Sequence, residues 1–172
     1  MLLTSLILAA SVADAGCGRL TLVDDPLDGR SIGYHQAFDR HRVTGLTLNY
    51  FKQSWSVRVA VAARGVSKRN SANNQRARFV VGDDIVVLKA QRRAYPLSGV
   101  RPRSGVYTQW QVDFDVTDKR LGQLASDRIR VVGLNVADLE HRFKLSRRVG
   151  RRLQEAMMCA MVHVSDTKVA SR

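Results

Sequence analysis

The stretch Val106-Tyr-Thr-Gln-Trp-Gln-Val-Asp-Phe-Asp-Val116 decides the fold class. Val106, Trp110, Val112, Phe114 and Val116 share one parity with Thr108, while Gln109, Gln111, Asp113 and Asp115 take the other. Successive side chains on a strand point to opposite faces, so a period of two predicts a half-buried strand. Its apolar face needs a partner layer, because a single wet sheet cannot bury a Trp and a Phe.

Such partners lie on both sides in the sequence. Trp55, Val57, Val59 and Val61 alternate with smaller or charged residues in "WSVRVAVAAR" (55–64). "VTGLTLNYF" (43–51) precedes it, with Lys52, Gln53 and Ser54 near the turn. "ARFVVGDDIVVLKA" (77–90) reads as a hairpin, since Gly82, Asp83 and Asp84 separate two Val-rich runs. "AYPL" (94–97) predicts a short edge strand, because Pro96 cannot donate to a ladder. "RIRVVGLNV" (128–136) and "HRFKL" (141–145) predict a further pair, joined through residues 137–140.

Two helices complete the pattern. Thr117 or Asp118 can cap "DKRLGQLAS" (118–126), with Leu121 and Leu124 on one side. Ser146 can cap "RRVGRRLQEAMMCAM" (147–161), where Val149, Leu153, Ala156, Met157 and Ala160 follow helical spacing. Gly150 would cost that helix about 1 kcal/mol relative to Ala. Many short strands and two helices predict a mainly β fold: an antiparallel β-sandwich or open barrel with a short helix and a C-terminal helix.

The first residues read as an address. Leu2–Val12 is too short for a transmembrane helix and the right size for a signal-peptide core. Ala13-Asp14-Ala15 fits small-x-small cleavage, although no Lys or Arg precedes the apolar run. Residues 1–15 are therefore expected to be a signal peptide and 16–172 a single β-rich domain, periplasmic or secreted, with no transmembrane segment after cleavage. Cys17 offers an alternative, lipid anchoring, but Asp14 departs from the aliphatic residue that lipidation prefers three places before the Cys. The chain has two cysteines, Cys17 and Cys159, and an oxidising compartment would allow them to bridge.

Charge is the most distinctive chemistry. The formal net charge is +13. The cations fall into three groups in the sequence. Arg64, Lys68, Arg69, Arg76 and Arg78 form one, and Lys89, Arg92, Arg93, Arg101 and Arg103 a second. Arg142, Lys144, Arg147, Arg148, Arg151 and Arg152 form the third, around the predicted start of the last helix. Such a surface attracts polyanions, and guanidinium forks suit phosphate and carboxylate oxygens. The third group is the candidate polyanion site, its partner an anionic polymer or an anionic envelope surface. The bland alternative is a solvated basic surface with no ligand.

Other chemistry is sparse. His35, Asp39 and His41 in "YHQAFDRH" resemble a metal set, but helical spacing would not gather them and a loop with incidental histidines explains them as well. Cys159 and His163 stand at i, i+4 without a third group to orient them. Specific nucleic-acid binding is not expected without basic–aromatic interleaving, zinc-finger spacing or a helix-turn-helix pattern. No cofactor is expected. The leading expectation is an exported noncatalytic binding module. The alternatives are a protein inhibitor, chaperone or assembly subunit acting through a sheet edge, and a hydrolase with an unrecognised site.

Overall fold

The computed structural model describes residues 17–25, 29–39, 44–65, 75–90, 96–100, 105–136 and 139–170. The strands are β1 (Thr21–Asp25), β2 (Gly29–Ala37), β3 (Gly45–Phe51), β4 (Ser54–Arg64), β5 (Arg76–Val81), β6 (Asp84–Lys89), β7 (Pro96–Val100) and β8 (Tyr107–Val116). Helix α1 (Asp118–Ala125), strands β9 (Ile129–Val136) and β10 (Leu139–Lys144) and helix α2 (Arg147–Ala170) follow. One antiparallel sheet runs β1-β2-β3-β4-β8-β7, the other β10-β9-β5-β6. The predicted signal peptide lies outside the described residues, as do Lys68, Arg69, Arg92, Arg93, Arg101 and Arg103.

The period-two reading places the core correctly. Tyr34, Leu48, Val57 and Phe114 stand in register across four strands, and Leu46, Val59 and Val112 across three. All seven are buried. In the smaller sheet Phe79 pairs with Val86 on one side and Val132 on the other. These inner faces join α1 and α2 in one hydrophobic core, the arrangement of a sandwich or open barrel. Burying each large apolar side chain there contributes about 1.5–3 kcal/mol.

Turn and cap chemistry fixes the element ends. Lys52 and Gln53 both adopt positive φ, the pattern of a tight hairpin turn that matches strand twist. Gly82 supplies positive φ in the β5–β6 turn. Thr117 caps α1 by accepting the Arg120 N–H at 3.3 Å. Trp55 Nε1 donates to Asp118 Oδ1 at 2.9 Å, which ties the start of β4 to the first turn of α1.

Three expectations need correction. Val106 does not share the buried face; it precedes β8, is exposed, and its carbonyl accepts the Gly65 N–H. The segment holding His35 is strand β2 rather than a loop, with Ile32 and Tyr34 pointing inward. The last helix continues past Met161 to Ala170, because no Gly or Pro stands between those two residues.

Candidate basic clefts at the start of the last helix

Three local features seat the N-terminus of α2. Leu145 N–H donates to the Arg130 carbonyl at 2.9 Å, which aims the chain as it leaves β10. Ser146 Oγ accepts the Val149 N–H at 3.3 Å and its carbonyl accepts the Gly150 N–H at 2.9 Å. Gly150 is buried against β9: a Cβ there would collide with the Ile129 carbonyl oxygen and with the Arg128 side chain. The glycine that looked like a propensity defect is what lets the helix approach the sheet.

This seating brings residues from separate parts of the chain together. Arg147 and Arg151 line a cleft of about 470 Å³ with Arg128 and Arg130, neither of which the sequence reading included. Asp83 and Asp127 stand on its rim. Arg130 Nη2 meets Asp83 Oδ1 at 2.8 Å, and Asp127 Oδ1 accepts the Arg128 N–H at 2.6 Å. Arg130 Nε is buried and has no partner among the described residues.

A second cleft of about 430 Å³ lies between Arg147, Arg148, Arg151, Arg152 and Glu155. Arg152 is half-buried. Loss of solvent, then the like charges of Arg148 and Arg19, hold its pKa below the usual guanidinium value. Burial raises the pKa of neighbouring Tyr34, partly offset by Arg19 and Arg152. The first turn of α2 contains no acid, so Arg147 and Arg148 oppose the helix dipole that a bound anion would complement.

Arg19 reaches this face through the N-terminus. Cys17 and Cys159 are joined by a disulfide, with Cα atoms 5.5 Å apart. Cys159 lies seven positions after Arg152, two helical turns along, so the bridge lays the chain beside α2. The proposed bridge itself was the signal that could have found Arg19. The same bond occupies the sulfur that lipid anchoring would need and leaves Cys159 no thiol to pair with His163.

Arg142 and Lys144 are exposed on β10 and line neither cleft. They alternate with inward-facing His141 and Phe143, which places them on the outer face of the smaller sheet. Arg64 is exposed at the end of β4. His35 Nδ1 lies 3.0 Å from Thr47 Oγ1, whereas Asp39 accepts the Thr44 N–H and hydroxyl. His41 lies outside the described residues. Among the described residues no group of three His, Cys, Asp or Glu is placed to hold a metal ion, and no helix is long and apolar enough to cross a membrane.

No protein-family model, no curated protein and no solved structure matches this chain.

Proposed function

We propose that this chain is an exported, noncatalytic binding module whose α2 arginine face contacts an anionic polymer or an anionic envelope surface. The observation that carries the reading is the unneutralised charge at the two clefts. Arg147, Arg148 and Arg151 form no ion pair among the described residues, and Arg19, Arg128 and Arg152 crowd the same region. Like charges held this close repel, and an oxyanion bound between them would relieve the repulsion through charge-assisted hydrogen bonds. The disulfide supports export, because such bonds persist in oxidising compartments.

A second reading, protein contact through a sheet edge, is supported by β1. Its Leu22 and Val23 are 43% and 52% exposed on an edge strand with one neighbour.

Binding to immobilised heparin, used as a generic polyanion, tests the first reading. Changing Arg147, Arg148, Arg151 and Arg152 to Gln should lower the eluting salt concentration and reduce the salt slope by about one per contacting arginine. Unchanged retention of the folded variant would reject the α2 face as the contact.

A further inference from the structure

The outer face of the smaller sheet carries a second set of cations, separate from the α2 clefts. Strand register defines the face in three rows. Arg76 stands directly opposite Lys89. Arg142, Gly133, Arg78 and Val87 form the next row across all four strands. Lys144, Val131, Val80 and Ile85 form the third. Arg76, Arg78, Lys89, Arg142 and Lys144 are all exposed, while Ala77, Phe79 and Leu88 alternate with them into the core.

The two sheets treat charge differently on their outer faces. On the larger sheet, Arg58 faces Asp113 across the β4–β8 pair and makes a two-pronged ion pair at 2.6 and 3.0 Å. On the smaller sheet, Arg76 faces another cation, and none of the five cations has an ion-pair partner among the described residues. Like charges directly opposite on neighbouring strands destabilise a sheet. A fold that neutralises one outer face and concentrates positive charge on the other has a surface suited to an external anion.

The cations form a stair. It runs from Lys89 through Arg76 and Arg78, past Gly133, to Arg142 and Lys144. With strands about 4.8 Å apart and residues rising about 3.4 Å, its ends lie about 20 Å apart. Both ends lie on edge strands, β6 and β10. The corners away from the stair are not cationic: Glu140 occupies one and the 66% exposed Ile85 the other. Gly133 leaves a bay between Arg78 and Arg142. Its backbone does not require glycine, since a Cβ would sit in ordinary contact 3.8–4.0 Å from its neighbours. Glycine inside a strand marks a bulge, a bend or the close approach of a ligand or another backbone, and the register runs unbroken through Gly133 on both sides.

We propose that this stair binds one extended acidic polysaccharide chain, independently of the α2 clefts. A narrow diagonal of charges fits a single chain better than a plane of lipid head groups. The rows, with the Glu140–Asn135 pair beside them, hold Arg, Lys, Glu, Asn, Gly, Val and Ile, with none of the aromatic rings on which single-stranded nucleic acid stacks. Val80, Val131 and Ile85 lie beside the charges as apolar support for sugar rings.

The test compares wild type, the α2 variant with Arg147, Arg148, Arg151 and Arg152 changed to Gln, and two sheet variants on a heparin oligosaccharide. One variant carries Arg76→Gln, Arg78→Gln, Arg142→Gln and Lys144→Gln; the other is Gly133→Glu, which sets a carboxylate in the bay. Each should weaken binding by about tenfold or more at low salt. Amide shifts of wild-type protein titrated with the oligosaccharide should include Arg78, Gly133 and Arg142, a readout that needs no variant. Shifts confined to α2, or unchanged affinity of either folded variant, would overturn this surface and leave the α2 reading standing. Tighter binding of oligothymidylate or phosphatidylglycerol vesicles than of the oligosaccharide would overturn the choice of ligand. Loss of binding in the sheet variants alone would support the stair and reject the α2 face.

Discussion

His141 places an imidazole on the core side of β10, paired in register with buried Leu134. Its ring stacks on Phe143 at 6.5 Å and tilts toward Trp110 at 6.4 Å. Nε2 is buried and has no partner among the described residues. Burial therefore lowers its pKa from the ordinary 6.5. The sign follows directly. As pH falls through 6.5, the unfolded chain binds the proton before the folded one does, so stability is lost; the loss stops growing below the folded pKa. Wild type should lose more unfolding free energy between about pH 7.5 and pH 5 than His141→Leu does. Parallel pH profiles would mean that His141 is solvated in the folded chain. This residue's position was not legible from periodicity, because "HRFKL" holds too few apolar residues to declare which parity faces inward. The opposite holds for Trp110 and Phe114, whose five-residue alternation left one choice of face.

At the scale of elements, legibility tracked the length of the apolar pattern. Strands β3 to β10 and both helices were readable from alternation, turn residues, an edge proline or caps. β1 and β2 were not, because β1 holds only the adjacent pair Leu22 and Val23, and in β2 only Ile32, Tyr34 and Ala37 break a run of glycine and polar residues. The candidate site was half legible. Arg147, Arg148, Arg151 and Arg152 project from one helix and could be grouped by helical spacing. Arg128 and Arg130 join them only because α2 docks on β9, a long-range contact that periodicity does not encode. Gly150 is the residue that controls this docking, and its replacement separates packing from propensity. Alanine stabilises an open helix by about 0.5–1 kcal/mol over glycine. In α1, a Cβ on Gly122 would meet nothing within 4 Å, so Gly122→Ala should stabilise by about that amount. Gly150→Ala should instead destabilise by about 1–3 kcal/mol, since α2 must lift off the Ile129 carbonyl. Denaturant titrations of the two variants should therefore move in opposite directions; a stabilised Gly150→Ala would show that the helix does not approach β9 this closely.

For the molecule as a whole, the bond between Cys17 and Cys159 spans a sequence separation of 142. It ties the residues before edge strand β1 to the helix that closes the core, so this edge strand of the larger sheet is held both by pairing with β2 along its length and by the cross-link just before it. Much of the stabilisation from so long a loop lies in the unfolded chain, which the cross-link deprives of conformations. The chain-entropy relation gives about 5 kcal/mol for this separation, and native proteins that lose a disulfide lose about 2–5 kcal/mol. Reduced wild type and the Cys17→Ser, Cys159→Ser double variant should both fall by about 3–5 kcal/mol in unfolding free energy. They should also fall alike, because the effect resides mainly in the unfolded ensemble rather than in contacts of the sulfurs. Thiol titration of the oxidised, denatured chain should find no free cysteine. A reduced protein as stable as the oxidised one, or reactive thiols in the untreated chain, would reject the cross-link. Without it, Arg19 is no longer held beside Arg152 and Tyr34, and the basic face of α2 keeps only its own arginines and those of β9 and its preceding loop.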